Sequence, residues 1–159
     1  MAHGFKWAAT YVGLGNSSTG LIQFGSSGGT LTSLSLLAAP SQIAGTGTIN
    51  TSGLIVDGNL VFDAAHGPVQ TVNWTSATQN VAVTIDLSGA GGAPALFGAG
   101  NQGYGSVTIQ DGLAISDAFG YLGYRADSSG VVTIAGTGSA WNLTDTNLFT
   151  IYLTSDRYL

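Results

Sequence analysis

The sequence predicts an all-β fold: one parallel β-solenoid spanning residues 1–159, with roughly six to seven rungs. Three observations predict it. Thr, Ser, Val, Ile, Gly and Asn dominate, glutamate is absent and Lys6 is the single lysine, a vocabulary of strands and turns. Short apolar runs alternate with Gly/Ser/Asn turns throughout the chain. Three windows also repeat one pattern: YVGLGNSSTGLIQF at 11–24, LFGAGNQGYGSVTI at 96–109 and YLGYRADSSGVVTI at 121–134. Each has an apolar pair, a glycine, a six-residue loop, a second glycine and a strand.

The paired glycines are Gly13 and Gly20, Gly98 and Gly105, Gly123 and Gly130, and they read as structural turn glycines at the corners of successive layers. The last two copies lie 25 residues apart, the length of one solenoid repeat. Looser relatives fill the middle: GTGTIN at 45–50, SGLIVDGNLVFD at 52–63 and QNVAVTIDLSG at 79–89.

In chain order, strands are expected at Gly20–Phe24, Gly29–Ser33, Thr48–Asn50, Leu54–Val56, Leu60–Asp63, Thr71–Trp74, Val81–Leu87, Ser106–Gln110, Val131–Ala135 and Phe149–Leu153. The run LTSLSLLAA at 31–39, ended by Pro40, is the one helix candidate, and its Leu/Ser alternation reads better as strand. Over 81–87, Val81, Val83, Ile85 and Leu87 alternate with Ala82, Thr84 and Asp86, which gives one apolar and one wetter face.

Charge excludes several partners. Only 7% of residues are charged, against about 25% in an average domain. The net charge of −5 comes from eight aspartates against Lys6, Arg125 and Arg157. Three scattered cations build no basic patch, so neither nucleic acid nor an anionic membrane surface is an expected partner. Without cysteine there are no disulfides or thiolate metal sites. No run reaches the roughly 18 apolar residues of a membrane helix, so no membrane insertion by this segment is expected. The start, MAHGFKWAATYVG, lacks a signal-peptide pattern. Either the protein is cytosolic or the chain is a piece cut from an exported precursor, and the piece is the favoured expectation.

The stretch 103–148 carries a more specific pattern: Gly105–Ile109 with Asp111-Gly112, then Gly120-Tyr121-Leu122-Gly123-Tyr124, then Gly130–Ile134, then Gly136-Thr137-Gly138-Ser139-Ala140-Trp141. In this order these pieces resemble the autotransporter passenger-associated repeat of large bacterial surface proteins. The stretch from Ala44 to Gly89 looks like a segment that often precedes that repeat. The resemblance implies a right-handed β-helix, export, an extracellular place at the bacterial cell surface and an adhesin-like role without enzymatic activity. The sequence departs from the family after the Trp motif, where NLFTIYLTSDRYL holds no glycine. The array is expected to end there, as a cap or a truncation.

No catalytic, cofactor-binding or metal site is expected. His66, three residues after Asp63, reads as a turn histidine, and His3 is isolated. Asp57, Asp63, Asp111, Asp117, Asp127 and Asp145 mostly sit beside Gly or Ser, where aspartate bonds its own backbone and tolerates left-handed geometry. Calcium between adjacent turns is the rival reading. Asp111 and Asp117 are the one carboxylate pair with spacing for glycoside cleavage, a minor alternative. Serines lack a histidine partner, and Gly45-Thr46-Gly47 and Gly136-Thr137-Gly138 read as corners rather than phosphate loops.

Tyr104, Phe119, Tyr121, Tyr124 and Trp141 recur in the best-matched repeats. They pack in or against the solenoid, or else form an exposed ladder that contacts surface glycans or a neighbouring subunit. Asn16, Asn50, Asn73 and Asn142 each begin an Asn-x-Ser/Thr sequon. Ice is not an expected ligand, because no regular Thr-x-Thr column recurs at rung spacing. The functional expectation is a structural or adhesive module that self-associates, end to end or edge to edge, into extracellular filaments. A carbohydrate-binding module using exposed aromatics is the alternative.

Overall fold

The computed structural model describes residues 8–13, 20–88, 95–144 and 151–153. The expectations placed on His3, Asn16, Asp145, Phe149 and the loop of the first repeat copy lie outside them. The fold is all-β, and one 3-10 turn, Pro40–Gln42, is the helical element among the described residues. Four sheets form from β1 (Ala8–Gly13), β2 (Ile22–Gln23), β3 (Thr30–Leu37), β4 (Ile43–Thr51), β5 (Ile55–Val56), β6 (Gly58–Phe62), β7 (Val69–Ser76), β8 (Gln79–Asp86), β9 (Leu96–Ala99), β10 (Tyr104–Ile109), β11 (Ala114–Asp117), β12 (Phe119–Leu122), β13 (Ser129–Ile134), β14 (Ala140–Leu143) and β15 (Ile151–Leu153).

A six-stranded sheet runs β1-β3-β4-β8-β7, with β2 also on β4; the others run β13-β10-β6, β11-β14 and β15-β12-β9-β5. Every pairing between these strands is parallel except one. The exception is the hairpin of β7 and β8, whose two-residue loop, Ala77-Thr78, is far too short for a parallel crossover. This hairpin makes the large sheet mixed, where the sequence predicts parallel pairing throughout.

The run 31–39 is strand through Leu37, as its alternation predicts, and Pro40 opens the 3-10 turn beyond it. Val81, Val83, Ile85 and Leu87 are buried while Asp86 is exposed, so the period-two reading of that segment holds. The segments 96–99, 114–117, 119–122 and 140–143, not singled out above as strands, are β9, β11, β12 and β14.

The repeat alignment holds in one sheet and slips in another. Gly105 faces Gly130 and also Gly58, so three neighbouring strands align glycine with glycine. Gly98, by contrast, faces Tyr121 rather than Gly123. The slip of two residues is taken up at the corner: Ala99 and Tyr104 bound a shorter connection than Leu122 and Ser129, whose turn closes through Ser128 N–H to the Arg125 carbonyl. Gly98, Gly105 and Gly130 are therefore strand glycines, not turn glycines. A Cβ at Gly105 would overlap the Val56 carbonyl oxygen, and one at Gly130 that of Ala99. Gly123 does sit at a corner, with φ +68°. Gly13 closes β1 opposite Leu37, and Gly20 precedes β2.

The core lies between the sheets. Register stacks Leu60, Val107 and Val132 in one column and Phe62, Ile109 and Ile134 in the next. Phe97 packs edge-on against both Phe62 (centroids 5.6 Å apart) and Trp141 (5.9 Å). Each fully buried ring of this kind contributes about 1.5–3 kcal/mol over leaving it exposed.

Candidate functional site

The predicted site residues do not converge. Trp141 belongs to the core, where it meets Phe97 and sends its indole N–H to Asp117 Oδ2 at 2.7 Å. A Cβ on Gly120 would strike the Trp141 ring, and Leu122 packs on the core, so residues 120 and 122 point inward. Strand alternation then puts Phe119 and Tyr121 on the outer face. Tyr121 and Tyr124 meet edge to face with centroids 5.1 Å apart, both half-buried. Tyr104 stands largely clear, 59% exposed. The aromatics are thus divided between the core and one corner and form no continuous ladder.

The carboxylates have local duties. Asp63 Oδ1 accepts the amides of Ala65 and His66 and sits 2.7 Å from His66 Nδ1, a turn cap. The His66 amide, and then its ring, hold the Asp63 carboxyl below the usual carboxylate range. Asp111 and Asp127 occupy left-handed positions in turns, at φ 58° and 67°. Asp57 accepts the amides of Asn101 (2.7 Å), Gln102 and Gly103 (both 3.1 Å), tying its own layer to the next. Arg125 Nε, one layer further on, donates to Asn101 Oδ1 at 3.4 Å. Single-sequence reasoning misses this Asp57–Asn101–Arg125 stack. Its one signal is a polar residue following the strands that end at Val56 and Ala99.

Asp117 is the exception to the turn reading, being the last residue of β11 and only 5% exposed. Burial pushes its carboxyl up to about 8, and the Trp141 N–H pulls the other way. Its Oδ1 has no hydrogen-bond partner among the described residues. Asp111 lies in the turn before β11, and Asp117 is buried at the far end of that strand. A carboxyl closed off from solvent cannot reach a glycosidic oxygen, so this pair does not make a cleavage site. Among the described residues no three His, Cys, Asp or Glu side chains are placed to hold a metal ion. No helix among them is long and apolar enough to cross a membrane.

The most ordered polar surface lies elsewhere, on the outer face of the mixed sheet. Register aligns Thr32, Asn50, Thr84 and Thr71 in one row across β3, β4, β8 and β7. The next row is Thr30, Thr48, Ala82 and Asn73, and a third is Thr46, Asn80 and Thr75. All point away from the core side chains Ile49, Val81, Val83 and Trp74. Thr71 and Thr84 hydroxyls join at 2.9 Å. Beside the first row lies a shallow trough of about 300 Å³, bounded by Thr32, Asn50, Thr84, Val69 and Asp86. The hydroxyl and amide of Ser88 bind Asp86 and hold its carboxyl below the usual range. The sequence hides these rows, because the steps from β3 to β4 and from β4 to β8 differ in length and β7 runs backwards.

Compared with known proteins, the chain matches no family model, no curated protein and no solved structure at a significant level.

Proposed function

We propose that this chain is an exported structural and adhesive module of the bacterial cell surface, built as a parallel β-solenoid like that of the autotransporter passenger-associated repeat. The observation that carries the reading is the parallel register that aligns Gly58, Gly105 and Gly130 across β6, β10 and β13, with Gly105 and Gly130 each held against a backbone carbonyl, of Val56 and Ala99. Layers of this kind bond mainly to their neighbours, so stiffness grows along the stacking axis. The scarcity of titratable groups and the local duties of the aspartates favour a scaffold over an enzyme.

Self-association into filaments follows from the same layering. Ile134 continues the column of Phe62 and Ile109, yet it is 49% exposed. An unfinished core column beside the edge of β13, which pairs with no further strand among the described residues, offers a template for a further layer. The test is display of the chain on a non-adherent bacterium, with attachment and cell–cell aggregation scored beside small-angle scattering of the purified protein. Elongated particles and increased attachment are expected. A compact monomer that leaves the cells non-adherent would refute the proposal.

A further inference from the structure

We propose that the outer face of the mixed sheet binds an extended, neutral polysaccharide chain lying across the strands, with one sugar against each of β3, β4, β8 and β7. This deepens the adhesive reading and rests on it. The first argument is charge. The three rows hold Thr and Asn with a single Ala, and none of their side chains is charged. Asp86 at the margin and the net charge of −5 oppose a polyanion, and one carboxylate is too little to hold a polycation.

The second argument is hydrogen-bonding chemistry. Threonine hydroxyls and asparagine amides both donate and accept, as sugar hydroxyls do. The third is spacing. Neighbouring strands lie about 4.8 Å apart, close to the length of one pyranose unit in an extended chain. The row Thr32–Asn50–Thr84–Thr71 therefore presents one polar side chain per sugar. Ser52, Val69 and Asp86, about 6.7 Å away along the strands on the trough side, face the other edge of the same chain.

Shape and order complete the case. The trough runs beside the first row on the side away from the second, between Thr32, Asn50 and Thr84 and the neighbouring Ser52, Val69 and Asp86, which suits a single chain better than a flat crystal such as ice. Threonine is stiff at χ1, so its hydroxyls are positioned before binding and lose little freedom on contact. No aromatic ring stands in the rows, so each contact is weak and affinity accumulates with chain length.

The experiment is calorimetric titration of the whole chain with β-1,4-linked gluco- and manno-oligosaccharides of two to six units. Affinity is expected to climb from two sugars to four and then level off, because four polar side chains, Thr32, Asn50, Thr84 and Thr71, make the row. Thr84→Val and Asn50→Ala should each weaken binding at least fivefold, with unchanged melting curves. Thr133→Val, on the separate sheet of β13, should have no effect. Three results would overturn the assignment: no binding by any of these sugars, affinity independent of length, or binding that survives in the double variant carrying Asn50→Ala and Thr84→Val but is lost in Tyr104→Ala. Slowed ice growth without sugar binding would overturn it in favour of a crystal surface. Cells that still adhere when displaying the double variant, with sugar binding gone, would refute this face as the adhesive one and leave the adhesive role standing.

Discussion

Burial of Asp117 should make the stability of this protein fall as pH rises through neutrality. Its carboxyl, about 3.8 when solvated, is pushed to about 8 in the fold by burial. Between those values the folded chain keeps a proton that the unfolded chain has released. The unfolded state then binds fewer protons, and the stability due to this group, complete below pH 4, is lost as pH rises toward 8. The slope approaches 1.4 kcal/mol per pH unit, so the loss from pH 5 to pH 8 is about 3–4 kcal/mol. That is a large share of the roughly 5–15 kcal/mol of a typical domain. The perturbation is Asp117→Asn, which keeps an oxygen for the Trp141 N–H and has no charge to bury. Urea unfolding followed by tryptophan fluorescence at pH 5, 6, 7 and 8 measures it. With two histidines and no cysteine or glutamate in the chain, few other groups titrate in this window. The wild type should lose stability steadily across the series, and the variant should stay nearly level. Parallel curves for the two proteins would refute the reasoning.

Three further outcomes follow from packing and capping. Gly130→Ala, which drives a Cβ into the Ala99 carbonyl, should cost at least about 3 kcal/mol or abolish folding, read as the urea midpoint or the soluble yield. Phe97→Ala removes the ring between Phe62 and Trp141 and should cost about 3–5 kcal/mol by the same assay. Asp57→Ala strands the amides of Asn101, Gln102 and Gly103 and should cost about 1–3 kcal/mol, with faster hydrogen exchange confined to that loop. Asp57→Asn, which can still accept, should recover part of that loss.

The β class, the strand faces and one interlayer step are legible in the residues alone. Alternation at Val81, Val83, Ile85 and Leu87 is a local matter, because successive side chains of any strand point opposite ways. The match of Gly105 to Gly130 is legible because Gly-x-Val-Thr-Ile recurs 25 residues on, and the turn aspartates Asp111 and Asp127 are legible from their own backbone chemistry. What the tertiary structure alone decided is partnership. It turned β7 back on β8, slipped Gly98 onto Tyr121, drew Asp117 under the Trp141 indole, and aligned Thr32, Asn50, Thr84 and Thr71 in one row. The physical reason is the same in each case. Alternation and turn geometry are properties of a few adjacent bonds. Register depends on how much chain each connection stores before the backbone finds its neighbour, and on which groups lose water when it does.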